Sequence, residues 1–177
     1  MATTIFSKTL TASDGHWQGD TCRLLILSPD ITAVSGSSIS VTIVLSATTS
    51  SGTISAAYIG QQGTGNAWNF DGNQSQLKFS GATSVSGITG LTTLTSDFVP
   101  FVYTAGNALV VSLDLAGTLL DSGSVTGQTN ENTYFAAGTA ASLTAPSGFS
   151  VETGICDFVS LIQVIPTDIT LLGQECY

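Results

Sequence analysis

The chain holds one histidine, His16, and three cysteines, Cys22, Cys156 and Cys176, so nucleophilic catalysis would have to be assembled from these few groups. A Ser–His or Cys–His pair needs its base within hydrogen-bond reach of the nucleophile. No serine stands in a G-x-S-x-G elbow, and no spacing brings a cysteine beside His16 in the loop Ser13-Asp14-Gly15-His16-Trp17-Gln18-Gly19-Asp20. Twelve acids would allow a glycosidase-like carboxylate pair, as they would in almost any chain, and no spacing singles out two of them. Asp71-Gly72-Asn73-Gln74-Ser75 sets oxygen side chains at alternating positions, as a calcium loop does, but it lacks the downstream bidentate acid. A tight Asp-Gly turn accounts for all of its residues. Asp14 and Asp20 could flank a cation in their own loop. The cysteines are too few and too far apart for a zinc site. No enzyme activity, cofactor or metal is expected.

Two tryptophans are the aromatic candidates for contact. Trp17, beside His16 in a polar loop with Gly15 and Gly19, suits either a ligand or subunit contact or a ring folded over the end of the fold. Trp68, in Asn66-Ala67-Trp68-Asn69-Phe70, is expected to pack in the core near Phe70 and Phe79. Cys22, Cys156 and Cys176 are disulfide candidates, and the odd count leaves one thiol able to link two subunits, Cys176 near the end of the chain being the accessible one. The other reading is three reduced thiols, two of them buried as small apolar residues.

The elements that must carry these residues follow from composition and pattern. Of 177 residues only 3 are Lys or Arg against 12 Asp or Glu, a formal net charge of −9, while 23 are Ser and 26 Thr. A chain with three cations cannot neutralise a run of phosphates or hold itself on an anionic membrane, so nucleic acid and membrane are not expected partners. With 42% hydrophobic residues it is a folded protein, not a solvated polyelectrolyte. No stretch has the form of a signal peptide or a membrane span.

Short β-branched and aromatic runs separated by Gly, Ser, Asn, Asp and Pro predict strands and turns, with helix nearly absent. Strands are expected at Cys22–Ser28, Ser38–Ser46, Thr53–Gly60, Gln76–Ser80, Asp97–Tyr103, Leu109–Leu115 and Phe158–Ile165, and more weakly at Thr4–Leu10, Val85–Thr89 and Thr133–Ala137. Ile39, Val41, Ile43 and Leu45 alternate with Ser40, Thr42 and Val44, the pattern of a half-buried antiparallel strand. Pro100, inside one run, marks that strand as an edge or a bulge. Asp14-Gly15, Asp71-Gly72 and Ala105-Gly106-Asn107 are chain reversals. From Gly117 to Cys156 the composition suits a long surface excursion. The fold class is all-β: an antiparallel two-sheet jelly-roll sandwich in a single domain over residues 22–166, with an N-terminal segment 1–21 that could serve as a docking arm and a C-terminal tail 167–177.

Several strings in order, Ala57-Tyr58-Ile59-Gly60, Gln76-Leu77-Lys78-Phe79-Ser80-Gly81, Ser96-Asp97-Phe98-Val99-Pro100-Phe101 and Leu109-Val110-Val111-Ser112-Leu113, resemble the non-catalytic jelly-roll domain that precedes the hydrolase domain of certain bacterial SGNH/GDSL esterases. They also resemble β-sandwich modules of tailed-phage virion proteins. The likeness continues through Asn132–Gly138 and Phe158–Ile165, covering roughly residues 22–165. The esterase nucleophile segment and its Asp-x-x-His pair have no counterpart here, so no catalytic residue carries over. The resemblance implies an accessory or assembly module.

Two functions are therefore expected. The first is a non-enzymatic structural or decoration protein of a bacteriophage particle, made in the host cytoplasm without a signal peptide, whose partners are other virion proteins and copies of itself. The second is a carbohydrate-binding module for a bacterial surface glycan, with Trp17 as its platform.

Overall fold

In the computed structural model, residues 1–10, 12–14, 19–117, 121–124, 130–151 and 157–167 are described. They form an all-β, antiparallel structure whose one helical element among the described residues is a 3-10 turn at Ser28–Asp30. The strands are β1 (Thr3–Ser7), β2 (Ala12–Asp14), β3 (Asp20–Ile26), β4 (Gly36–Gln61), β5 (Ser75–Gln76), β6 (Val85–Thr95), β7 (Val99–Tyr103), β8 (Leu109–Gly117), β9 (Asp121–Ser124), β10 (Glu131–Ala137), β11 (Ser150–Val151) and β12 (Val159–Pro166). The main path of hydrogen-bonded neighbours runs β1-β12-β4-β8-β3-β10-β11.

The strand β4 organises this path. Ser38–Ser46 and Thr53–Gly60, expected as two strands, belong to one strand of 26 residues. Its first half pairs with β12, Val41 opposite Ile162, and its second half with β8, Ile59 opposite Val111. Irregular register at Ala47/Gly52, Gly52/Thr53 and Ile54/Ala56 marks where the strand turns from one set of partners to the other. The hydroxyl-rich junction reads as a loop by composition, but its backbone finds ladder partners on β6, β8 and β9, and pairing overrides propensity.

Alternation places the core. On β7, Val99, Phe101 and Tyr103 are buried while Pro100 and Val102 are exposed. Among the described residues β7 pairs with β4 alone, so Pro100 stands on an edge strand, where a missing N–H breaks no ladder. Ile39, Val41 and Ile43 of β4, Cys22, Leu24 and Ile26 of β3, and Val111 and Leu113 of β8 share one core. Each such side chain contributes about 1.5–3 kcal/mol by leaving water. Residues Thr3–Ser7 of the N-terminal segment lie in this sheet against β12, with Ile5 and Phe6 buried. In place of the expected Gln76–Ser80, the strand is the two-residue β5 (Ser75–Gln76), and further on Ser80 and Gly81 take positive φ in a reversal that bridges Phe79 to Ala82. Val85–Thr89 lengthens to Thr95 along β4.

Candidate functional site

On β3 and β8 the side chains facing away from the main core are buried as well. Thr21 stands opposite Asp114 and Arg23 opposite Ser112, and all four are nearly or fully inaccessible. Simple alternation would leave this face in water. Instead, the segments 62–75 and 138–149 fold over it, and a second apolar cluster of Leu25, Phe70, Val110, Tyr134, Ala136 and Phe149 fills the space beneath.

Arg23 fastens both segments. Its Nε donates to Ser112 Oγ (3.1 Å), its Nη1 to the Trp68 carbonyl (2.6 Å), and its Nη2 to the carbonyls of Ala140 (2.9 Å), Ala141 (3.3 Å) and Leu143. The guanidinium also lies 4.3 Å from the Phe70 ring centre and 5.4 Å from that of Phe149. Asp114 completes the arrangement, accepting from the Thr21 hydroxyl and from the N–H groups of Ala140 (3.0 Å) and Ala141 (2.9 Å). Burial lowers the Arg23 pKa to about 10, and the charge of Asp114 works the other way. The segment 117–156, expected as a surface excursion, thus carries β10 in the sheet and a stretch tied down by Arg23, with Ala141 and Phe149 buried.

Trp68 belongs to this cap. Its indole Nε1 donates to the Pro146 carbonyl at 3.0 Å, and its ring meets Tyr134 (5.3 Å) and Phe149 (5.8 Å). Phe70 is in the same cluster, whereas Phe79 packs in the main core. The Phe79 expectation misses because Phe79, two residues after Leu77, joins that residue in the main core, while Trp68 and Phe70 belong to the second cluster. Close approach requires glycine at position 63, where a Cβ would overlap the Phe70 carbonyl.

Two open clefts border the cap. One, of about 450 Å³, is lined by Ser37, Gln61, Gln74, Ser75, Pro100 and Val102; the other, of about 410 Å³, by Gln62, Thr64, Asn69, Asp71 and Thr144 among others. Asp71 is their one charged lining residue. Its Oδ1 accepts the Asn73 N–H (2.9 Å) and its Oδ2 the Gln61 amide (3.2 Å), a side-chain-closed turn at Gly72. Among the described residues no three His, Cys, Asp or Glu side chains gather as metal ligands would. The side-chain oxygens of Asn69 and Gln74 are buried and accept no hydrogen bond.

A second buried charge centre joins three strands. Lys8 follows β1, Glu131 opens β10 and Asp157 precedes β12, and the Lys8 Nζ is ion-paired with Glu131 Oε2 and with Asp157 Oδ2. Their side chains are 9%, 3% and 1% exposed. The Lys8 N–H donates to the Ser160 carbonyl (2.9 Å), and Asp157 Oδ1 accepts the Val159 N–H (3.1 Å). Burial brings the Lys8 pKa down to about 8 against the pull of Glu131, and burial raises that of Glu131. The centre places an amine against two carboxyl groups in an enclosed space.

Of the residues singled out in the sequence, Cys22 is fully buried on β3 in the main core. His16, Trp17, Cys156 and Cys176 lie outside the described residues. Sequence reasoning passed over Arg23, Lys8, Glu131 and Asp157. The available signal was scarcity: Arg23 is a cation inside an apolar run, in a chain that has three cations in all. No protein-family model and no curated protein matches the chain.

Proposed function

We propose that this chain is a non-enzymatic structural protein of a bacteriophage particle, a single jelly-roll domain acting through contacts with other virion proteins and with copies of itself. In this reading β4 belongs to two packed sheets, one continuing through β12 and β1, the other through β8, β3 and β10. The shared core supplied by both halves of β4 supports that arrangement. The resemblance to virion modules supplies the setting.

The observation that carries the reading is the edge formed by β6 and β7. Both pair with β4 alone among the described residues, and from Val85 to Tyr103 the one charged residue is Asp97. Leu91 and Val102 are 71% and 74% exposed, and Phe98 is exposed as well. Proteins that remain monomeric blunt such an edge with lysines or cover it. An uncharged edge can add a strand or pack flat against a subunit, even when the whole chain carries −9.

Light scattering on the eluting protein, with reductant present, tests this. The wild type is expected as a discrete oligomer and the double variant Leu91→Lys, Val102→Lys as an 18.1 kDa monomer. Both sites are exposed, so the fold should change by no more than about 0.5 kcal/mol. A wild type that stays monomeric at every concentration overturns self-assembly.

Carbohydrate binding is favoured by a different observation, the two buried amide oxygens of Asn69 and Gln74 beside clefts lined by polar residues with Asp71 as the one charge. Lys8 and Arg23 are internal and Lys78 is exposed elsewhere, so the clefts offer no cation to an anionic sugar and suit a neutral glycan. Titration with neutral oligosaccharides of glucose, galactose and N-acetylglucosamine should shift the Asn69 and Gln74 side-chain NH₂ resonances. The expected affinity is about millimolar, near −4 kcal/mol. Resonances that do not move with any of the three remove this reading.

A further inference from the structure

We infer that Lys8 and Asp157 become joined by an amide bond between their side chains, with Glu131 relaying the protons, so that the segment after the first strand is covalently tied to the segment before the last. This goes beyond the assembly role and does not depend on it.

Geometry is the first support. Lys8 Nζ is held directly against Asp157 Oδ2, with Glu131 Oε2 on the same nitrogen. The backbone on either side is fixed by the ladder between β1 and β12, Ser7 opposite Leu161, and by the bond from the Lys8 N–H to Ser160. Both side chains therefore start from backbone positions fixed in register. Such positioning converts an unfavourable encounter in water into a reaction between held neighbours.

The surroundings are the second support. Phe6, whose ring centre is 5.2 Å from Nζ, and Phe158 are 5% and 1% exposed. Water, the product, is thereby kept from driving the reverse reaction. Asp30 adds a further negative charge to the field at Lys8 and Glu131, and its Oδ1 is occupied by the Asn130 amide (2.9 Å). Burial favours the uncharged amine of Lys8, which is the nucleophilic form, and the protonated form of Glu131, which can give a proton back.

The step balances without any other reactant. The Lys8 ammonium gives one proton to the Glu131 carboxylate and its lone pair attacks Cγ of Asp157, while the Val159 N–H steadies the charge on Oδ1. Glu131 passes that proton to Oδ2, then takes the second N–H proton and passes it on as well. The C–N bond forms, the C–Oδ2 bond breaks, and Oδ2 leaves as water. An ammonium and a carboxylate have become an amide and one water, and Glu131 ends as it began.

Intact mass spectrometry of the denatured full-length chain decides the matter. The wild type is expected to weigh one water less than its sequence, and proteolysis should release a branched peptide joining the Lys8 and Asp157 fragments. Lys8→Arg should have the full mass of its own sequence, which separates this loss from dehydration at an Asp-Gly turn. Glu131→Gln, which keeps both reacting groups, should also have full mass or lose water far more slowly. A wild type at full sequence mass, or a water loss that survives Lys8→Arg, overturns the inference.

Discussion

Replacing Arg23 with methionine is expected to cost about 3–5 kcal/mol of folding stability, the magnitude for breaking a buried charge network from one side. Methionine fills much of the volume but provides no donors. The carbonyls of Trp68, Ala140, Ala141 and Leu143 would lose their shared partner, and Ser112 Oγ a donor. Each buried polar group left unsatisfied costs about 1–3 kcal/mol, less where water can enter. Asp114 would keep its neutral donors but lose the cation that balances its charge. Arg23→Lys should lie between wild type and Arg23→Met, because one ammonium cannot span Ser112, Trp68 and the 140–143 carbonyls together. Urea unfolding gives the stabilities, and Trp68 emission reports the cap, since its indole is held by Pro146 between Tyr134 and Phe149. A loss below about 1 kcal/mol for Arg23→Met would show that the apolar cluster holds the cap without the guanidinium.

The second large effect is expected at Lys8. Lys8→Met leaves Glu131 and Asp157, with side chains 3% and 1% exposed, facing each other without a cation. That alone should cost about 3–5 kcal/mol. If the amide forms it replaces the Lys8–Asp157 ion pair in the wild type, and the tie between positions 8 and 157 then contributes, by analogy with a disulfide closing a long loop, on the order of 4 kcal/mol. Lys8→Arg divides the two effects, because it retains a cation and cannot form the amide. In a chain of this length each kcal/mol moves the melting temperature by roughly 2–4 °C. Calorimetry should therefore show Lys8→Met melting on the order of 10 °C or more below wild type, with Lys8→Arg in between. Equal melting temperatures for all three would mean that the centre contributes nothing to stability.

The strand pattern was largely legible because it rests on local chemistry. Ile39, Val41, Ile43 and Leu45 alternate with smaller or hydroxylated residues, and that period by itself places one face in a core. Val99, Phe101 and Tyr103 do the same on β7, and Pro100 marks an edge because it cannot donate. The joining of Ser38–Ser46 and Thr53–Gly60 into one strand was not legible. A Ser/Thr-rich junction has no preference of its own, and the partners that decide it are on β6, β8 and β9, tens of residues away.

The buried charges show the same division. Arg23 within an apolar run is conspicuous by composition, but the carbonyls that bind it come from Trp68, 45 residues later, and from a segment more than a hundred residues later. Lys8, Glu131 and Asp157 have no spacing that links them, since their meeting requires β1, β10 and β12 to be in place. Composition and period determined the all-β class, the main core positions, the turns at Gly72 and Gly106 and the scarcity of surface cations. The tertiary structure alone decided which polar residues go inside and what they meet, because a polar side chain is buried only where distant parts of the chain supply its partners.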